Sequence, residues 1–139
     1  MYMAVYAIRD DIPIEECKKV VSDIVRICGM STNGIRAEYW KFPILDNPSE
    51  SCYTYVQPIL TSLIACDQWP EIPGAYFFVI SCTKFKDHLL YAHLRKRFKD
   101  ISYYTCEARM PNQMKGGDTH GKQKETEEGR EETPEGEGQ

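Results

Sequence analysis

The sequence predicts a mixed α+β fold in which two β-α-β units share one sheet, and three observations carry this expectation. Tyr2–Ile8 (YMAVYAI) and residues 75–82 (AYFFVISC) are continuous apolar, β-rich runs of strand length. Each is followed by a segment whose apolar residues recur at helical spacing. Each such segment leads into a further β-rich stretch, 35–45 (IRAEYWKFPIL) and 101–109 (ISYYTCEAR).

Each element has its own justification. After the first strand come Asp10 and Asp11, then Pro13 and the pair Glu15 and Glu16. A proline in the first turn, with carboxylates near the positive helix end, starts a helix. Ile14, Cys17, Val20, Val21, Ile24, Val25 and Cys28 then form one apolar face, with Glu16, Lys19, Asp23 and Arg26 on the other side. Gly29 is placed to cap the helix, and residues 31–34 (STNG) form a loop. The second strand spans 35–45, and Pro43, lacking an amide donor, must end it or lie at a sheet edge. Residues 46–49 (DNPS) are a turn. Within 53–56 (YTYV) there is room for a short strand, and Ile59, Leu60, Leu63 and Ile64 fall on one helical face, with Pro58 in the first turn. Pro70 and Pro73 exclude a continuing helix, so 68–74 is irregular. Residues 75–82 resume as a central strand. A second helix follows with the stripe Leu90, Tyr91, Leu94 and Phe98, and 101–109 is the last strand.

The resulting order is β-α-β-(α)-β-α-β. With the middle helix inside an inserted segment at about 46–74, this is the split βαβ arrangement called ferredoxin-like, four antiparallel strands with two helices on one face. The alternative is a three-layer α/β sheet of parallel strands, with the middle helix as a regular crossover.

The length predicts a single domain over 1–110. From residue 111 to 139 there is no aromatic or branched aliphatic side chain, and Met114 is the one apolar residue. Such a segment cannot offset the entropy of ordering it, so a disordered acidic tail is expected. The domain holds 13 basic and 13 acidic residues, whereas the tail holds 4 and 8 and supplies the net charge of −4. Within the neutral domain the basic residues concentrate at Lys84, Lys86, Arg95, Lys96, Arg97 and Lys99. The N-terminal residues have neither a basic leader nor a long apolar run, and no segment reaches the ~20 apolar residues of a membrane span. An intracellular protein of cytoplasm or nucleus is expected. Its six cysteines, widely spaced and without a C-x-x-C pair, read as reduced, packed thiols.

Catalytic signatures are absent: no phosphate loop, no G-x-S-x-G, no H-E-x-x-H and no G-x-G-x-x-G. His88 and His93 are five apart on a helix and cannot jointly hold a metal. Glu38 and Lys41, three apart on a strand, point to opposite faces. No cofactor or metal is expected, and an enzyme of unrecognised type is the third choice of function. Nucleic-acid binding is the second. Val5-Tyr6-Ala7-Ile8 and Gly74-Ala75-Tyr76-Phe77-Phe78-Val79 stand where the RNA-recognition motif carries its two strand signatures, and the order of elements resembles that family. The resemblance implies bases stacked on sheet aromatics, with Pro73 replacing a basic residue and with a longer connection between the middle strands. Lys84, Lys86, Arg95, Lys96, Arg97 and Lys99 would contact phosphates, although the last four also suit a solvated helix end. The first choice is a non-enzymatic protein-interaction or regulatory module that associates with itself as a dimer. Trp40, Tyr53, Tyr55, Trp69, Tyr103 and Tyr104 exceed what one small core uses, and such residues anchor interfaces. Tyr103 and Tyr104 must face opposite sides of their strand. A neutral domain with a charged tail would suit a viral accessory or host-interaction protein.

Overall fold

A computed structural model describes residues 1–44, 47–69 and 73–111. Met1–Arg109 form one compact unit of mixed α/β structure. The elements are β1 (Tyr2–Ile8), α1 (Ile14–Ile27), β2 (Glu38–Ile44), β3 (Asn47–Ile59), β4 (Ser62–Trp69), β5 (Gly74–Ser81), α2 (Asp87–Arg97) and β6 (Ile101–Glu107). All six strands join one antiparallel sheet in the order β2-β3-β4-β5-β1-β6. The expected tail, from residue 112 onward, lies outside the described residues.

Two expectations are corrected. The middle helix does not form, and the sheet has six strands rather than four. Ile59, Leu60, Leu63 and Ile64 suit a helical face, but they equally suit two strands either side of a two-residue turn. Thr61 takes the left-handed conformation (φ 67°) that such a turn requires, and Ile59 pairs with Ser62. Beyond the turn, Ile64 and Cys66 point into the core while Leu63, Ala65 and Asp67 alternate with them. The parallel three-layer alternative also fails, because every pairing is antiparallel. Pro43 sits in the outermost strand β2, next to a shift of register between Pro43 and Ile44, the edge and bulge setting in which a strand accommodates proline.

The core lies between one face of the sheet and the two helices. Ala4, Tyr6 and Ile8 of β1, Tyr53, Tyr55 and Ile59 of β3, Ile64 and Cys66 of β4, and Ala75, Phe77 and Val79 of β5 face Cys17, Val20, Val21 and Ile24 of α1 and Leu90 and Leu94 of α2. The α1 spacing of three and four residues is what puts those four side chains on one stripe. Pro13 occupies the position before the first helical residue. The helix ends as its glycine predicts: Gly29 has φ 63°, its N–H donates to the Arg26 carbonyl (3.2 Å), and the Met30 N–H donates to the Val25 carbonyl (2.9 Å).

Buried polar atoms tie the layers together. The Tyr6 hydroxyl donates to the Asp87 carbonyl at the start of α2 (2.9 Å), and burial first, the nearby Asp87 second, pushes its pKa far above the ordinary phenol value. The Tyr53 hydroxyl (2.5 Å) and the Gln68 amide (3.2 Å) both donate to the Ile12 carbonyl in the β1–α1 connection. Between the helices, Asp23 accepts from Arg26 (3.1 Å) and pairs with His93 (3.0 Å), and Glu16 pairs with Arg97.

Candidate functional site

Strand alternation gives the sheet a second face that neither helix covers. It carries Met3, Val5 and Ala7 of β1, Glu38, Trp40 and Phe42 of β2, Cys52, Thr54, Val56 and Pro58 of β3, Leu63, Ala65, Asp67 and Trp69 of β4, Tyr76, Phe78 and Ile80 of β5, and Ser102, Tyr104 and Cys106 of β6. Trp40, Phe42, Trp69, Tyr76 and Tyr104 are all exposed large side chains, Tyr104 at 68%. The described strand residues bring no Lys or Arg to this face. Lys41, the one strand cation, pairs with Tyr53 in register and so points to the helix side.

The face is not flat. A concavity of about 1050 Å³ opens over β4, β5, β1 and the start of β6. Its shape follows from the cross-strand rows: Tyr76 pairs with Asp67 on one side and Ala7 on the other, and Ala7 pairs with Ser102. Trp69 pairs with Gly74. Small residues (Ala7, Gly74, Ser102) therefore form a floor between the larger Trp69, Tyr76 and Phe78. The last two rings lie 6.4 Å apart at a 33° tilt. Asp67 is half-buried and accepts a hydrogen bond from the Thr54 hydroxyl (2.8 Å). At the rim Arg9 and Asp100 are joined by a backbone hydrogen bond (3.0 Å) and a weak, exposed ion pair (3.9 Å).

The residues singled out from sequence divide between the two faces. Trp40, Trp69 and Tyr104 lie on the helix-free face. Tyr53 and Tyr55 do not: they are 5% and 7% exposed in the core, because odd-numbered residues of β3 face the helices. Their phenols contribute to packing and, for Tyr53, to holding the Ile12 carbonyl, so they leave the candidate surface. Tyr103 also faces the helix side, stacked on Tyr6 (5.6 Å, 10°) and close to Tyr91 (4.4 Å). It and Tyr104 do face opposite sides, as the alternation requires.

The basic residues belong to the other layer. Arg95, Lys96 and Arg97 form the last turn of α2, where they complement the helix dipole, and Arg97 is engaged by Glu16 of α1. Lys84 borders a smaller groove with Tyr2, Phe85 and Glu107, Lys86 precedes α2, and Lys99 lies in the α2–β6 connection. Arg95, Lys96 and Arg97 thus lie in a different layer from the sheet aromatics, and Arg9 is the cation that reaches the rim of the concavity.

Phe42 and Asp67 were not singled out from sequence, and Tyr76 entered only within the 74–79 signature. The alternation of Leu63, Ala65, Asp67 and Trp69 against Ile64, Cys66 and Gln68 carries the signal, but only once 62–69 is taken as a strand. Among the described residues no group of three His, Cys, Asp or Glu side chains could hold a metal. No described helix is long and apolar enough to cross a membrane. The six cysteines are free; the neighbouring Cys17 thiol and then burial push Cys66 far above the ordinary thiol range. No protein-family model matches the chain, and no curated protein is significantly similar to it.

Proposed function

We propose that this is a non-enzymatic protein-interaction module whose first partner is a second copy of itself, docked through the helix-free face of the sheet. The observation that carries the reading is the five exposed aromatic side chains of that face, set in strands that bring it no cation. Six strands about 4.8 Å apart and about seven residues long span roughly 29 by 23 Å, or roughly 670 Å². That approaches the ~800 Å² per partner of a stable interface. Two-fold symmetry would set the same face of each copy against the other, and the domain as a whole is formally neutral. Nucleic acid is the weaker alternative, since a phosphate backbone needs cations beside the stacking rings.

The fold reading beneath this is that β4-β5-β1-β6, with α1 after β1 and α2 after β5, is a ferredoxin-like split βαβ core. The β2–β3 hairpin is then an addition at its edge that widens the open face.

Sedimentation velocity of the full chain, from micromolar to hundreds of micromolar, tests the association. A concentration-dependent dimer is expected, and Trp40→Lys with Tyr104→Lys should abolish it while leaving the far-ultraviolet circular dichroism unchanged. A monomer at the highest concentration overturns the proposal, as does a dimer indifferent to both substitutions. Binding of single-stranded RNA at low salt, lost with Arg95→Glu and Lys96→Glu, would put the nucleic-acid reading in its place.

A further inference from the structure

The concavity on the open face has a chemistry of its own. Its walls are Trp69, Tyr76 and Phe78, and its floor is kept low by Ala7, Gly74 and Ser102. Of its charged groups, Arg9 and Asp100 face each other at the rim, which leaves Asp67 without a cationic partner among the described residues. One oxygen of Asp67 accepts the Thr54 hydroxyl, and the other takes no hydrogen bond among the described residues. An aromatic-walled hollow with one uncompensated carboxylate attracts a cation twice over, through the ring faces and through the charge. At about 1050 Å³ it has the size of a small-molecule site rather than of a bound ion.

We propose that this concavity binds a small planar organic cation, whose ring stacks on Trp69 or Tyr76 while its charge sits beside Asp67. The site is built from one chain and goes beyond the pairing of copies. If copies do pair over it, the apparent affinity falls as chain concentration rises, but the preference for a cation is unchanged.

Three compounds of nearly one shape isolate the charge: nicotinamide methylated on its ring nitrogen (cationic), nicotinamide (neutral) and nicotinate (anionic). Each is titrated into the full ¹⁵N-labelled chain, with the Trp69 indole N–H as the probe, assigned through Trp40→Phe. Saturable shifts are expected in the order cation, neutral, anion, with about a tenfold preference for the cation over the neutral compound, the scale of a partly screened charge pair plus a cation–π contact. Asp67→Asn keeps the Thr54 hydrogen bond and should equalise cation and neutral compound. Ala7→Leu raises the floor and should remove binding of all three. No saturable shift with the cation, equal binding of nicotinate, or a cation preference surviving in a folded Asp67→Asn chain would overturn the proposal. The wild-type comparison alone decides if a variant does not fold.

Discussion

The Ile12 carbonyl offers a sharp test of how the sheet supports the β1–α1 connection. Ile12 is fully buried, and among the described residues its carbonyl is satisfied by two side chains, the Tyr53 hydroxyl from β3 and the Gln68 amide from β4. Removing either donor, by Tyr53→Phe or Gln68→Met, leaves the other in place and should cost about 1 kcal/mol, the net value of one intramolecular hydrogen bond. Removing both strands an acceptor away from water, which costs about 1–3 kcal/mol in its own right. The double variant should therefore lose about 1–2 kcal/mol more than the sum of the single losses. The assay is urea unfolding of the full chain followed by circular dichroism. With a slope of about 1.5 kcal/mol per molar, each kcal/mol moves the midpoint by about 0.7 M. Additive or sub-additive losses would refute the reasoning, because they would mean that water or another donor reaches the carbonyl.

Two further predictions follow, one from the helix layer and one from β6. Burial alone would raise the Asp23 carboxyl, but the hydrogen bonds and charges of His93 and Arg26 outweigh it and hold the pKa below the ordinary value. The folded state therefore binds fewer protons than the unfolded state between the two values, so this contribution is complete above about pH 4 and is lost as pH falls through the lower, folded value. Asp23→Asn should lower stability by about 1 kcal/mol at neutral pH, and melting curves down to about pH 2 should show the deficit closing; a constant gap would count against the pairing. At dilution, where copies are apart, Tyr103→Ala should destabilise by about 2 kcal/mol through lost contact with Tyr6 and Tyr91, whereas Tyr104→Ala should stay within about 0.5 kcal/mol. Equal losses would show that the two rings are not on opposite sides of β6.

How much of this was legible in the sequence depended on whether a segment's pattern fits one period or two. Helix α1 was fully legible, because seven apolar residues at helical spacing and a capping glycine admit one reading. The same holds for β1, β5 and the stripe of α2. The stretch 59–64 was not, since ILTSLI satisfies a helical face and a strand–turn–strand equally. The choice fell to β3 and β4 pairing with each other and with the adjoining strands β2 and β5, a context that the pattern of the segment itself does not contain. That single ambiguity propagated into the site. Without β4 as a strand, Asp67 and Trp69 could not be placed on one face, and the parity of Tyr53 and Tyr55 could not be fixed.

The position of β1 has a consequence for how the chain reaches this structure. It is flanked by β5 and β6, whose synthesis begins about 66 and about 93 residues after β1 is complete. Until β5 is made its seven largely apolar residues have neither hydrogen-bonding neighbour, and both of its edges are open. Pairings of this span are slow to close, and an unpaired apolar strand invites association with other nascent chains. Truncation within β6 should thus leave β1, a strand that carries core residues, as an open edge of the sheet, and a chaperone that shields extended segments would find its target in Tyr2–Ile8.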